Sequence, residues 1–246
     1  MRITVGDAVY QDGDLSLGEL VARFDEGVTT SAPAPGDFLR VLEGIPGEVL
    51  VLTVSQRLSS TAASARVAAD TAGPRVRVVD SGTSAGSLAL IVLHAARRAQ
   101  AGGTPAEVEA AAQYAVGRAR LVAAVGTLDY LVKGGRLPGV VGGLGSRIGL
   151  RPLVEVRRDR GVRALRPAFS KHAADERMVK MLLRSRVAGA RLHVAALHVL
   201  AEGQAHALLA RVRAEVEPAT ELVARFGAAM VVHTGPDLTG LSWWWE

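Results

Sequence analysis

The sequence predicts an α/β protein of two domains, a parallel-sheet domain over residues 1–118 and a mixed or antiparallel-sheet α/β domain over residues 119–246. Three observations carry that expectation. In the first half, short apolar runs alternate with amphipathic stretches, the pattern of buried strands joined by helical crossovers. In the second half, strand-like runs follow one another with only two clear helices between them, and a tight turn around Asp159–Gly161 joins two of those runs, so neighbouring strands run antiparallel. Between the halves, Ala101-Gly102-Gly103-Thr104-Pro105 breaks the pattern before the change near residue 118.

Taken in order, Arg2–Val5 reads as a strand and Leu17–Phe24 as a helix capped by Ser16. Val28–Pro33 reads as a hydroxyl-rich loop, and Pro35–Leu42 starts the next helix. Glu48–Val54 is predicted as a buried strand, Thr61–Ala72 as a helix, Val76–Asp80 as a second buried strand and Ser84–Ala101 as a long helix. Thr104 is placed to cap another helix, with Pro105 at its first position. Leu121–Gly126, Leu150–Val156, Val162–Pro167, Leu192–Val199, Glu221–Val232 and Leu241–Trp245 read as strands, with helices over Ala173–Leu183 and Gly203–Val216.

Composition narrows the function. The 246 residues are 49% hydrophobic and 22% charged, a folding composition. The absence of cysteine excludes a disulfide framework, a thiolate nucleophile and a cysteine-held zinc or iron–sulfur centre. No apolar run approaches the ~18–20 residues of a membrane span, and the N-terminus has no signal-like core, so a cytoplasmic protein without stable membrane insertion is expected. The net charge is +5, but 26 of the 29 basic residues are arginine scattered among alanine and glycine. The densest group runs from Arg147 and Arg151 to Arg166, interrupted by Glu155 and Asp159; no aromatics interleave it as base stacking requires. It reads as a solvated face or a docking surface for an acidic protein, and no nucleic-acid partner is expected.

No phosphate loop, His-Glu-x-x-His or nucleophile elbow is present, and Gly142–Ser146 follows no strand with dinucleotide spacing. His193 and His198, five apart on one strand, point to opposite faces and make a poor metal pair. What does stand out is a set of hydroxyl-rich segments before helices: Val28–Pro33, Ser55–Thr61 and Asp80–Ser84. In a parallel sheet such loops meet at the carboxyl edge of the strands, where helix N-termini and hydroxyls suit a phosphate or a carboxylate. Each alone is also ordinary N-capping. Thr127–Arg136 ends in Gly134-Gly135-Arg136, which reads as a helix C-cap with a basic residue. His233-Thr234-Gly235-Pro236, after an apolar strand over Met230–Val232, could line a cleft or form a capped turn.

In order, Thr30-Ser31-Ala32-Pro33, Leu58-Ser59-Ser60-Thr61, Asp80-Ser81, Leu128–Arg136, Leu150-Arg151-Pro152 and His233–Asp237 resemble the landmarks of the DegV family, fatty-acid-binding proteins that include the FakB subunit of bacterial fatty acid kinase. The resemblance spans essentially the whole chain. It implies the EDD fold, with a three-layer N-terminal domain, and a long-chain fatty acid held between two domains. The carboxylate would sit among Thr30 or Ser31, Ser59, Thr61 and His233, and no other cofactor or metal is implied. The protein would be a carrier rather than an enzyme, presenting its acid to a separate ATP-binding kinase subunit that makes the acyl phosphate. A degenerate relative without ligand and a small-molecule kinase or transferase of related architecture are the alternatives.

The sequence departs from the family pattern in places. The family's opening strand and helix, roughly 25–30 residues for such a unit, precede the segment aligned with Met1–Gly13 and have no counterpart here, so the first domain is expected to be incomplete. Ser60 and Asp237 stand where the family has glycine, and Ala168–His172 replaces a basic run. If the first glycine needs a positive φ, serine would interfere.

Overall fold

The computed structural model describes residues 1–137 and 150–246; the glycine-rich Gly142–Ser146 stretch and Arg147 lie outside the described residues. The elements are β1 (Arg2–Val5), β2 (Ala8–Gln11), α1 (Leu17–Ala22), a short 3-10 turn (Phe24–Glu26), β3 (Val28–Ser31), α2 (Pro35–Glu43), β4 (Val49–Thr53), α3 (Thr61–Ala72), β5 (Val76–Asp80), α4 (Ala85–Gln100) and α5 (Pro105–Val116). The second half continues with β6 (Arg120–Val125), α6 (Asp129–Lys133), β7 (Arg151–Arg157), β8 (Gly161–Ala168), α7 (Lys171–Arg184), β9 (Leu192–His198), α8 (Glu202–Arg213), β10 (Pro218–Arg225), α9 (Ala228–Thr234) and β11 (Leu238–Trp245).

Helix starts follow the expected capping chemistry. Ser16 Oγ accepts from the Glu19 amide at 3.2 Å while the Glu19 carboxylate accepts from the Ser16 amide at 2.8 Å. Thr104 and Glu107 repeat that reciprocal pair ahead of Pro105. The predicted hairpin is present: β7 pairs antiparallel with β8, Arg157 faces Gly161, and Gly161 takes a φ of 73° that favours glycine.

Among the described residues the strands form three sheets. β4 and β5 are parallel, as expected. β1 departs from expectation: it lies antiparallel between β2 and β3 in a separate sheet rather than in a parallel one. Val28–Ser31, read as loop, is the third strand of that sheet; its three hydroxyl residues hide the alternation of half-buried and exposed positions. β4 is also less buried than expected. Val49 to Leu52 are all half-buried, because among the described residues β4 pairs on one edge only.

The third sheet has six strands in the order β10-β9-β11-β6-β7-β8. All seven residues of β9 and all eight of β11 are buried, so helices cover both faces. Alternation along β11 divides the aromatic volume between them. Trp243 and Trp245 pack with α7 and α8, and Trp244 packs into the core that α4 closes. Ser185 Oγ accepts from both outer indoles, at 2.8 and 3.2 Å. The predicted strand over Glu221–Val232 is corrected: β10 ends at Arg225, Gly227 caps a new helix, and Ala228–Thr234 is α9. A continuous apolar run carries no period that separates strand from helix, and Gly227 was the only punctuation.

Candidate functional site

Strands β4 and β5 end side by side, with Thr53 opposite Asp80. Their following loops are tied together there. The Asp80 carboxylate accepts from the amides of Gly82 at 2.9 Å and Gln56 at 3.3 Å, and the Ser55 amide donates to the Thr83 carbonyl at 2.8 Å. This brings Ser59 and Ser60 from one loop and Ser84 from the other to the wall of a cavity of about 510 Å³. That size falls within the about 300–1,000 Å³ usual for small-molecule sites.

The cavity has a polar end and an apolar end. Leu121, Ala123, Val154, Val156 and Val162 line the apolar side from one face of the six-stranded sheet, with Leu88 of α4 and Met230 of α9 across from them. At the polar end, β3 supplies Thr30 and Ser31, α9 supplies His233, and Arg136 follows α6. His233 lies in the last turn of α9, not after a strand, and its Nε2 is 2.8 Å from Thr30 Oγ1. His233 Nδ1 is buried and has no hydrogen-bond partner among the described residues. Burial, reinforced by the Arg136 charge, pushes the His233 pKa down to about 4, so the imidazole is neutral near pH 7.

Of the residues singled out in the sequence, Thr30, Ser31, Ser59 and His233 reach the cavity wall. Thr61 stands behind Ser59, with the two hydroxyl oxygens 2.7 Å apart. Ser60 also lines the cavity, and its φ of −73° shows that no positive φ is needed where the family carries glycine. Asp237, the other substitution, accepts from both terminal nitrogens of the buried Arg151, one of them at 2.7 Å, and lies 3.6 Å from Lys171. Arg151 is therefore buried and ion-paired to a half-exposed Asp237 rather than on a solvated face, and its guanidinium holds the Asp237 carboxyl below the ordinary range.

Arg136 reads in the sequence as a capping residue at the end of a family landmark. In the structure its Nε donates to the Leu58 carbonyl at 3.1 Å, fastening the α6 end to the Ser59 loop. The two glycines before it serve different ends. Gly135 has a φ of 72°. Gly134 has an ordinary helical φ of −72°, but a Cβ there would sit 2.7 Å from His233 Nδ1. It is glycine because the imidazole occupies the space. His193 and His198 stay away from the cavity; His193 stacks on Trp244 at 4.4 Å between ring centroids. No group of three potential metal ligands occurs among the described residues, and no helix there is long and apolar enough to cross a membrane.

A family model described as an uncharacterised protein of the DegV family matches residues 1–246. A DegV domain-containing protein of Streptomyces coelicolor is 32% identical over 251 residues, covering 98% of this chain and 88% of the relative. Among solved structures, a Thermus thermophilus DegV family protein described by its fatty acid binding superposes with a TM-score of 0.89 at 27% identity, covering 100% of this chain and 90% of the other. The fatty acid kinase B3 protein of Streptococcus pneumoniae, loaded with linoleic acid, shares the fold at a TM-score of 0.87 and 20% identity, with coverages of 100% and 89%. Matched from end to end by the family model, and sharing a third of its residues with a relative whose length it nearly spans, the chain belongs to the DegV family.

Proposed function

We propose that this protein binds a long-chain fatty acid, with its carboxylate at the Thr30–His233–Ser59 end of the cavity and its tail along the Leu121–Val162 side. The observation that carries this reading is a neutral imidazole hydrogen-bonded to a threonine at the polar end of an otherwise apolar cavity. A carboxylate needs donors, and burying it without them is costly. With His233 Nε2 donating to Thr30 Oγ1, the threonine hydroxyl proton turns to the ligand. With the Thr61 hydroxyl donating to Ser59 Oγ, the serine proton does the same. His233 and Thr61 thus act as positioning groups behind two hydroxyls that touch the carboxylate. Arg136 adds positive charge to the same end without protonating His233.

The tail gains about 0.8 kcal/mol for each methylene removed from water. The protein itself is a carrier in this reading, and a separate ATP-using subunit phosphorylates the carboxylate it presents. The lipid-binding descriptions of the Thermus thermophilus protein and of a Thermotoga maritima DegV protein 25% identical to this chain support the ligand class. Native mass spectrometry of the purified protein, before and after adding C14–C18 acids, tests the reading. A bound acid at one per chain is expected; a chain that carries none and takes up none overturns it. Adding ATP and a kinase subunit then tests the carrier step through appearance of acyl phosphate.

A further inference from the structure

We propose that the groove between α7 and the outer face of β6–β8 is a docking site for an acidic segment of a partner protein. It goes beyond the fatty-acid reading and lies on the other face of the sheet from the acid cavity. Strand alternation makes it. Leu121, Val154, Val156 and Val162 point to the cavity; Arg120, Glu155, Arg157, Arg163 and Leu165, each one residue out of phase, point the opposite way. Helix α7 closes the other wall with Arg177, Lys180 and Arg184, spaced at three to four residues and so on one helical face, and with Glu176 one turn before Lys180. The result is a groove of about 520 Å³ bordered by six cations (Arg120, Arg157, Arg163, Arg177, Lys180 and Arg184) and two carboxylates.

Those two carboxylates do not neutralise the groove. Glu155 is buried and held by Arg120 at 2.9 Å. Glu176 is shared between His172 at 3.2 Å and Lys180 at 3.8 Å. Arg157 pairs with Asp159 at the hairpin tip, at 3.2 Å, and Arg177 donates to the Arg166 carbonyl. Among the described residues, Arg163 and Arg184 make no ion pair or side-chain hydrogen bond, and both are exposed. Two guanidinium forks on opposite walls, with no carboxylate of their own, suit carboxylates presented by another molecule.

The remaining chemistry selects a peptide over a phosphate polymer. Among the described residues no aromatic side chain lines the groove for base stacking. Leu165, Ala173 and Met181 give the floor aliphatic surface between the charges, which fits side chains of a peptide. Among the described residues β8 pairs only with β7, so apart from the Arg166 carbonyl that Arg177 takes, its outer edge offers main-chain hydrogen bonds to an extended segment. The stretch of α7 from Ala173 to Arg184 runs about 17 Å at 1.5 Å per residue, the length of roughly five extended residues.

The probe is a capped hexaglutamate peptide, with capped hexaglutamine and inorganic tripolyphosphate as comparisons, titrated onto the full chain at low and physiological salt. Saturable 1:1 binding of hexaglutamate alone is expected, weakened by salt. It should fall at least about tenfold in Arg163→Glu/Arg184→Glu, and by less in the charge-matched Arg40→Glu/Arg66→Glu. The neutral pair Arg163→Gln/Arg184→Gln reproduces the loss if reversal disturbs folding, and acid retention by mass spectrometry should stay unchanged in all variants. Equal losses in the two charge-reversed proteins, no loss in the neutral pair, or displacement of the peptide by tripolyphosphate at lower concentration each overturns the proposal.

Discussion

Substituting Gly134 by alanine isolates the link between the glycine pair and the proposed head-group site. Gly134 has a helical φ of −72° and ψ of −6°, so alanine carries no backbone strain. At an open helical site such a change stabilises by about 0.4–1 kcal/mol through the unfolded chain. Here the new Cβ would lie 2.7 Å from His233 Nδ1 and 3.0 Å from the Tyr130 carbonyl oxygen. An ordinary contact needs the ring to retreat by about 0.7 Å. The ring cannot do so and keep its 2.8 Å contact with Thr30. Overpacking of this kind costs about 1–3 kcal/mol, and offset by the backbone gain it leaves a net loss of up to about 2.6 kcal/mol in urea unfolding, about 1.3 kcal/mol at the middle of both ranges. Losing Thr30 orientation should weaken acid binding about tenfold, equivalent to ~1.4 kcal/mol. Gly203, helical and with nothing within 4 Å of an added Cβ, is the control, and its alanine variant should be no less stable than the parent. The two assays are urea unfolding and displacement of a fluorescent acid. A Gly134→Ala protein with parental stability and parental affinity would refute the reasoning, because it would mean the imidazole does not occupy the position that the glycine leaves free.

Four further outcomes are expected. His233→Ala should weaken acid binding by about 1–3 kcal/mol, the cost of leaving a buried polar partner unmet, measured by calorimetry; unchanged affinity would place the head group elsewhere. His233 has a folded pKa of about 4, below the ordinary 6.5, so it binds fewer protons folded than unfolded. Its contribution is whole above pH 6.5 and is lost as pH falls toward 4, by about 1–2 kcal/mol after allowing for solvent screening of a partly exposed group; stability of the His233→Gln variant should fall less over that interval. A bound carboxylate should raise the His233 pKa, read from its imidazole proton shift by NMR with and without acid. Finally, Asp237→Ala strips the buried Arg151 of its carboxylate and should cost about 1–3 kcal/mol in unfolding free energy, whereas a neutral effect would show that water replaces the pair.

Much of the fold was legible because local chemistry agreed with it. Helix α3 and strand β5 have the limits read from sequence, and the Ser16 and Thr104 caps form as their neighbours dictate. What escaped lacked a period. In β3 three hydroxyl residues out of four hide the strand alternation that apolar residues declare in β1, and the apolar run across Phe226-Gly227 hides the passage from β10 to α9. The polar end of the cavity was legible as residue types: hydroxyls before helices and a late histidine. Its wiring was not. Nothing in Gly134-Gly135-Arg136 announces that one glycine yields space to a ring 99 positions later and that the arginine ties down the Leu58 loop. Those are long-range contacts, and the local signals at both ends are those of an ordinary helix terminus.

The two faces of β6–β8 have a consequence for how the chain tolerates insertions and deletions. Because side chains alternate with a period of two, moving β8 by one position against β7 would exchange the faces outright. Val162 would turn to the charged side, and Arg163 would enter a chamber otherwise lined by valine and leucine. The register is held by the tip between Arg157 and Gly161, where the chain reverses with a positive φ. The length of that exposed, arginine-rich tip is therefore under tight constraint: losing a single residue there would rewrite the lining of a cavity that it never touches.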